Sequence, residues 1–135
     1  MTRDEAKEFL NRGYRSRARI QAKRERIDSW QQIAESITAA IKPVAAFSSL
    51  PSKKVEDCAC NIVDLQSEIL DEINALTRAE AEIGRAIDQY VEDPTLKQVL
   101  ELRYLNYLKW EEIAVRMNLT FRWTMTLHKL SLIHI

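Results

Sequence analysis

Glycine occurs twice and proline three times in the 135 residues. With so few turn formers beside abundant Glu, Lys, Arg, Ala, Leu and Ile, the chain favours long helices, and an all-α fold is expected. Long apolar runs are missing as well. No stretch approaches the roughly 18 apolar residues that span a bilayer, and the charged first residues lack the apolar centre of a signal peptide. A soluble cytoplasmic protein with no membrane partner is the expectation. Cysteine and histidine occur twice each. Cys58 and Cys60 stand two apart in a helical pattern, where successive side chains turn by about 100°, so they point to nearly opposite faces. His128 and His134 lie far along the chain. No metal and no cofactor is therefore expected, and the cysteines read as reduced, helix-packing thiols. There is no glycine-rich phosphate loop, and the acids of the middle segment flank a helix without converging, so no enzyme is expected.

The length suits one domain, or a small domain with a helical extension. Formal charge sums to zero but is unevenly spread. Residues 1–30 hold nine Lys/Arg against five Asp/Glu, 31–93 hold five against twelve, and 94–135 hold six against three. The stretch "RGYRSRARIQAKRER", 12–26, has seven bases and one acid and by itself suggests a nucleic-acid arm. The acidic middle offers the rival explanation of a partner helix within the chain.

That middle segment has the clearest periodicity. Val55, Cys58, Ile62, Leu65, Ile69, Ile73, Leu76, Ile83, Ile87 and Tyr90 recur at steps of three, four or seven, a heptad-like seam on a helix of roughly 38 residues. Leu10, Tyr14, Ile20, Ile27, Trp30, Ala34, Ile37 and Ile41 supply a less regular partner face. Between the two, "KPVAAFSSLPSKK" carries two prolines and a serine pair that interrupt both helices. The expectation is an antiparallel, coiled-coil-like hairpin over 1–92 with its loop near 42–52, basic helix against acidic helix, each flanking pair worth a few tenths of a kcal/mol. Gly13 and Gly84 are equally far from a loop centred between Ser48 and Ser49, and are expected to face each other at a close crossing.

A new unit opens at "VEDPTL", where Asp93 suits an N-cap and Pro94 the first helical position. Leu96, Val99, Leu100, Leu102, Tyr104 and Leu105 predict a helix with a broad buried face, ending near "LNYLK". The next run, "KWEEIAVRMNLTFRW", reads as a helix-turn-helix. Trp110, Ile113, Ala114 and Met117 share one side of a short helix, and Glu111 and Glu112 suit the positive end of its dipole. Ala114 is small enough for a close crossing. Asn118 tolerates the left-handed conformation of the turn, Leu119 plugs back into the core, and Thr120 caps the next helix. Trp123, Leu127 and Thr124 are expected inside. Arg122, Met125, Thr126 and Lys129 follow i, i+3, i+4 and i+7 spacing, the face a recognition helix presents to the major groove. The two bases suit phosphate or guanine, and Met125 and Thr126 suit a thymine methyl. Arg103 and Arg116 are further candidates for phosphate contact.

These residues carry a resemblance. Residues 100–130, "LELRYLNYLKWEEIAVRMNLTFRWTMTLHKL", are similar to the promoter-reading C-terminal region of bacterial sigma factors, in which a leucine-rich helix ending in R-Y precedes an E-E-I-A helix, a turn and a helix ending in L-H. With the segment "KVEDCACNIVDLQSEI", almost the whole chain resembles an uncharacterised phage and prophage family of low-GC Gram-positive bacteria that joins a helical hairpin to such a helix-turn-helix. The resemblance implies a regulator of phage or prophage transcription that binds double-stranded DNA. RNA polymerase and a second copy, joined through the hairpin, are further candidate partners. Lys109 stands where that family tends to have a capping Ser or Thr. Asn118 stands for a glycine, Thr124 for an aliphatic residue, and Phe121 and Thr126 for bases. A recognition face with few bases predicts weak, salt-sensitive DNA binding.

The tail "LSLIHI", 130–135, is what CTG TCT CTT ATA CAC ATC encodes, a string resembling a transposon end used as a sequencing adapter. The expectation is that the natural helix-turn-helix unit, 93–129, continues with other residues. Two alternative functions carry their own signatures. A phage assembly or DNA-packaging adaptor would form a large ring, and a polymerase- or sigma-binding protein would keep its function without Arg122 and Lys129.

Overall fold

The computed structural model describes residues 1–41 and 50–135, and within them the fold is all-α. Helix α1 spans Arg3–Leu10 and starts at a reciprocal cap: Glu5 N–H donates to Thr2 Oγ1 at 3.2 Å, and Thr2 N–H to Glu5 Oε2 at 3.1 Å. Asn11 separates it from α2, Arg12–Ile41, by closing α1 with its side-chain amide on the Lys7 carbonyl at 2.8 Å. Helix α3 runs Leu50–Tyr90. Of the loop expected near 42–52, residues 42–49 lie outside the described residues, whereas 50–52 belong to the first turn of α3, where a proline costs no helical hydrogen bond. Three shorter helices follow: α4 Pro94–Tyr104, α5 Trp110–Arg116 and α6 Phe121–His134. No helix among the described residues is long and apolar enough to cross a membrane.

The chain divides into two compact units, Ala18–Asn74 and Met1–Arg17 with Ala75–Ile135, and both long helices contribute to each. In Ala18–Asn74 most of the expected seam forms: Ile20, Cys58 and Leu65 are buried, and Ile27, Trp30, Ile37, Ile62 and Ile69 are half-buried, whereas Ile73, also expected in it, is 38% exposed. Cys58 is inside and Cys60 exposed, as their two-residue spacing requires. Arg19 Nε donates to Glu72 Oε1 at 2.9 Å, a pairing of basic α2 with acidic α3.

The other unit holds the larger core. Ala6 and Leu10 of α1, Ile83 and Ile87 of α3, Val91, Leu96, Val99, Leu100 and Tyr104 of the α4 region, and Leu127 and Leu132 of α6 form one buried cluster. Each large aliphatic side chain fully buried there stabilises the fold by roughly 1.5–3 kcal/mol. Tyr90, expected in the α3 seam, is instead 53% exposed, because the helix ends there and Val91 takes the inward place. The glycines also differ from expectation. Both lie against the segment after α4: a Cβ on Gly13 would overlap the Tyr107 hydroxyl, and one on Gly84 would meet Leu105 Cδ1 at 3.9 Å. Gly13 makes room for that segment, Gly84 has space there for a Cβ, and the two do not face each other.

Candidate nucleic-acid interface

Helices α4, α5 and α6 form the expected tri-helical arrangement, with α6 packed on both others. Asp93 Oδ1 accepts from the backbone N–H groups of Thr95 at 2.8 Å and Leu96 at 3.1 Å, which fixes the start of α4. Helix α5 begins at Lys109 without a side-chain cap. Asn118 adopts φ 56°, and Leu119 N–H then returns to the Ala114 carbonyl at 2.8 Å. This left-handed turn reverses the chain in two residues without glycine. Thr120 Oγ1 accepts from Trp123 N–H at 3.1 Å and sets the phase of α6.

That phase puts Thr124, Leu127, His128, Ser131 and Leu132 inside. The two buried hydroxyls are satisfied within the helix: Thr124 Oγ1 donates to the Thr120 carbonyl at 2.9 Å and Ser131 Oγ to the His128 carbonyl at 2.6 Å. Trp123, expected in the core, is 50% exposed. It lies about 100° around the helix from Thr124, beyond the edge of the buried arc. Arg122 and Lys129 are exposed, and Met125 and Thr126 half-buried, so these four candidates share the outer side of α6 as their spacing required. The Thr126 hydroxyl donates to the Arg122 carbonyl at 3.1 Å, which leaves its methyl as the outward contact.

The other two arginine candidates differ. Arg116 is exposed beside Glu111, Glu112 and Val115 in a shallow groove on α5. Arg103 is half-buried: Nη1 donates to the Leu108 carbonyl at 3.0 Å, and the guanidinium lies 5.0 Å from the Tyr14 ring and 4.6 Å from that of Trp110. It clasps the connection between α4 and α5, a structural task that its place in the sequence did not disclose.

Around it lies an aromatic network. Tyr14 Oη donates to the Arg103 carbonyl and packs edge-on to Tyr104 and Tyr107. Tyr107, in a left-handed conformation with φ 58°, donates to Glu80 Oε1 at 2.8 Å and stacks under Arg17 at 4.1 Å. Burial and the Glu80 carboxylate both push its phenol up from the usual range. Trp110 lies 4.6 Å from the His128 ring. The available signal was four aromatic residues at 14, 104, 107 and 110.

No protein-family model, curated protein or solved structure matches the chain. Among the described residues no group of three or more His, Cys, Asp or Glu side chains could hold a metal ion. The outer surface of α6 bears side chains of two kinds. Besides the two bases, that surface carries an apolar row, Trp123, Leu130 and Ile133, with Phe121 and Val115 also exposed nearby in sequence.

Proposed function

We propose that the chain is a sigma-factor-like helix-turn-helix protein that regulates phage or prophage transcription, with α6 as the helix read into the major groove of duplex DNA. One observation carries this reading: the tight left-handed turn at Asn118 joins a short α5 to an α6 whose outer side bears Arg122, Met125, Thr126 and Lys129. The bases supply phosphate or guanine contact, and the Met125 side chain and Thr126 methyl supply contact to thymine. Arg116, exposed at the end of α5, is a further phosphate contact.

The test is selection from pooled random duplex DNA by the full chain. Enrichment of a motif, lost in the Arg122→Ala, Lys129→Ala double variant, supports sequence reading. No enrichment sinks it.

A second reading rests on the exposed apolar side chains Val115, Phe121 and Trp123, all before the tail 130–135. Exposed large apolar side chains suit a protein partner better than a phosphate backbone. It favours a protein that touches RNA polymerase or a sigma factor without reading DNA, or a phage assembly or DNA-packaging adaptor. Function retained in the double variant supports this reading.

A further inference from the structure

The pairing of basic α2 with acidic α3 holds at Arg19 and Glu72 and fails in the unit formed by Met1–Arg17 and Ala75–Ile135. There α3 itself contributes bases. Arg78 and Arg85 stand four residues before and three after Glu82, positions that share one side of a helix. Arg12 of α2 reaches the same carboxylate, its Nη1 2.5 Å from Glu82 Oε2. The Arg12 hydrogen bond and charge, and after them the charges of Arg85 and Arg78, hold the Glu82 carboxyl below its usual range. Arg15, three residues on from Arg12, joins the group with its Nη2 on the Glu8 carbonyl at 2.9 Å.

This positive charge is in excess. Arg15, Arg78 and Arg85 are exposed, and none of them forms an ion pair among the described residues. Glu82 is taken by Arg12, Glu80 by the Tyr107 hydroxyl and Asp88 by Lys97, which leaves Glu8, whose carbonyl Arg15 already holds. Among the described residues, no large apolar side chain is exposed over 3–17 or 75–89. A lipid surface or a protein partner draws affinity from apolar contact. A phosphate backbone needs only charge, and the planar guanidinium fork fits its oxygens.

We infer that Arg15, Arg78 and Arg85 form a second nucleic-acid contact, which holds the phosphate backbone of duplex DNA whatever its sequence, while Arg12 neutralises Glu82 beside them. The inference rests on the reading of the chain as a DNA-binding protein and deepens it. Helix α6 presents only Arg122 and Lys129, and the arginine group supplies the backbone contacts that so few bases leave short. Arg78 and Arg85 are roughly 10 Å apart along the helix, a length over which duplex DNA presents about six phosphates.

Fluorescence anisotropy of the full chain on a labelled random-sequence duplex, across a salt series, tests this. Arg78→Gln with Arg85→Gln should lower the slope of log affinity against log salt by up to about 2, with an unchanged far-UV circular dichroism spectrum. Lys53→Gln with Lys54→Gln removes the same charge from exposed positions elsewhere on α3 and should keep the parent's slope. Equal losses in the two double variants would reduce the effect to net charge and overturn the proposal. An Arg78→Gln, Arg85→Gln chain that binds like the parent, while the Arg122→Ala, Lys129→Ala chain does not, overturns it too and leaves α6 as the DNA face. Binding that survives the loss of Arg122 and Lys129 but not of Arg78 and Arg85 upholds the arginine contact and removes α6. A parent chain that fails to bind the duplex overturns both.

Discussion

Tyr104 and His128 meet at 2.6 Å between phenolic oxygen and imidazole Nε2, and both are buried between α4 and α6. Burial, followed by the nearby charges of Lys7, Arg103 and Arg3, lowers the His128 pKa to about 4. Burial likewise pushes the Tyr104 phenol up to about 12. At neutral pH the pair is therefore uncharged. With the imidazole proton on Nδ1, the Tyr104 hydroxyl donates to Nε2.

A sign for the pH dependence follows. His128 is neutral in the folded chain down to about pH 4, whereas in the unfolded chain it protonates near 6.5. Above that value the contribution is complete. As pH falls from about 6.5 to 4, the unfolded state binds the extra proton and up to about 3 kcal/mol of stability is lost. His128→Gln removes the titration, so its urea midpoint should vary less with pH over this window. Equal slopes in both chains would exclude His128 as the source.

The two glycines predict opposite outcomes for the same substitution. At Gly13 a Cβ meets the Tyr107 hydroxyl and ring, and that ring is held by Glu80, Tyr14 and Arg17. Gly13→Ala should therefore cost about 1–3 kcal/mol despite the better helix former. Gly84→Ala meets only Leu105 Cδ1 at 3.9 Å, ordinary contact, and should gain about 0.5–1 kcal/mol. Paired thermal melts check both, and two shifts of the same sign would refute the distinction.

What was legible in the sequence was local. Asp93 before Pro94, Asn118 between two helical runs and Thr120 before Phe121 each act on backbone groups within a few residues, so their roles could be read from neighbours alone. Trp123 was misplaced because amphipathic spacing leaves the edge of a buried arc uncertain by one residue, and the packing of α6 decides it. Arg103 and Tyr107 were opaque for a different reason. Their partners Tyr14, Arg17 and Glu80 lie far along the chain, and no periodicity links them. Gly13 follows from Tyr107, so its neighbour was opaque too.

Ala114 tests the crossing inside the helix-turn-helix. It is buried, and its carbonyl receives the Leu119 N–H that closes the turn. Ala114→Leu adds volume where α5 packs on α6 and should cost about 1–3 kcal/mol, a fall in Tm of several degrees. Val115, the next residue, is 78% exposed, so Val115→Asp should stay within about 0.5 kcal/mol of the parent. An Ala114→Leu chain that melts with the parent would remove the close crossing.

Arg122, Lys129 and Arg103 should separate by salt dependence and folding. Arg122 and Lys129 are exposed on α6, and each phosphate contact contributes about 0.9 to the slope of log affinity against log salt. The Arg122→Ala, Lys129→Ala chain should thus lose up to about 2 from that slope while melting like the parent. Arg103→Ala should do the reverse, lowering Tm first, because its guanidinium is committed to the Leu108 carbonyl and two aromatic rings. Fluorescence anisotropy across a salt series, with melts of each chain, measures both quantities. A double variant that binds DNA with the parent's affinity and slope removes α6 from the DNA face. The exposed Phe121 and Trp123 would then stand as its contact with protein.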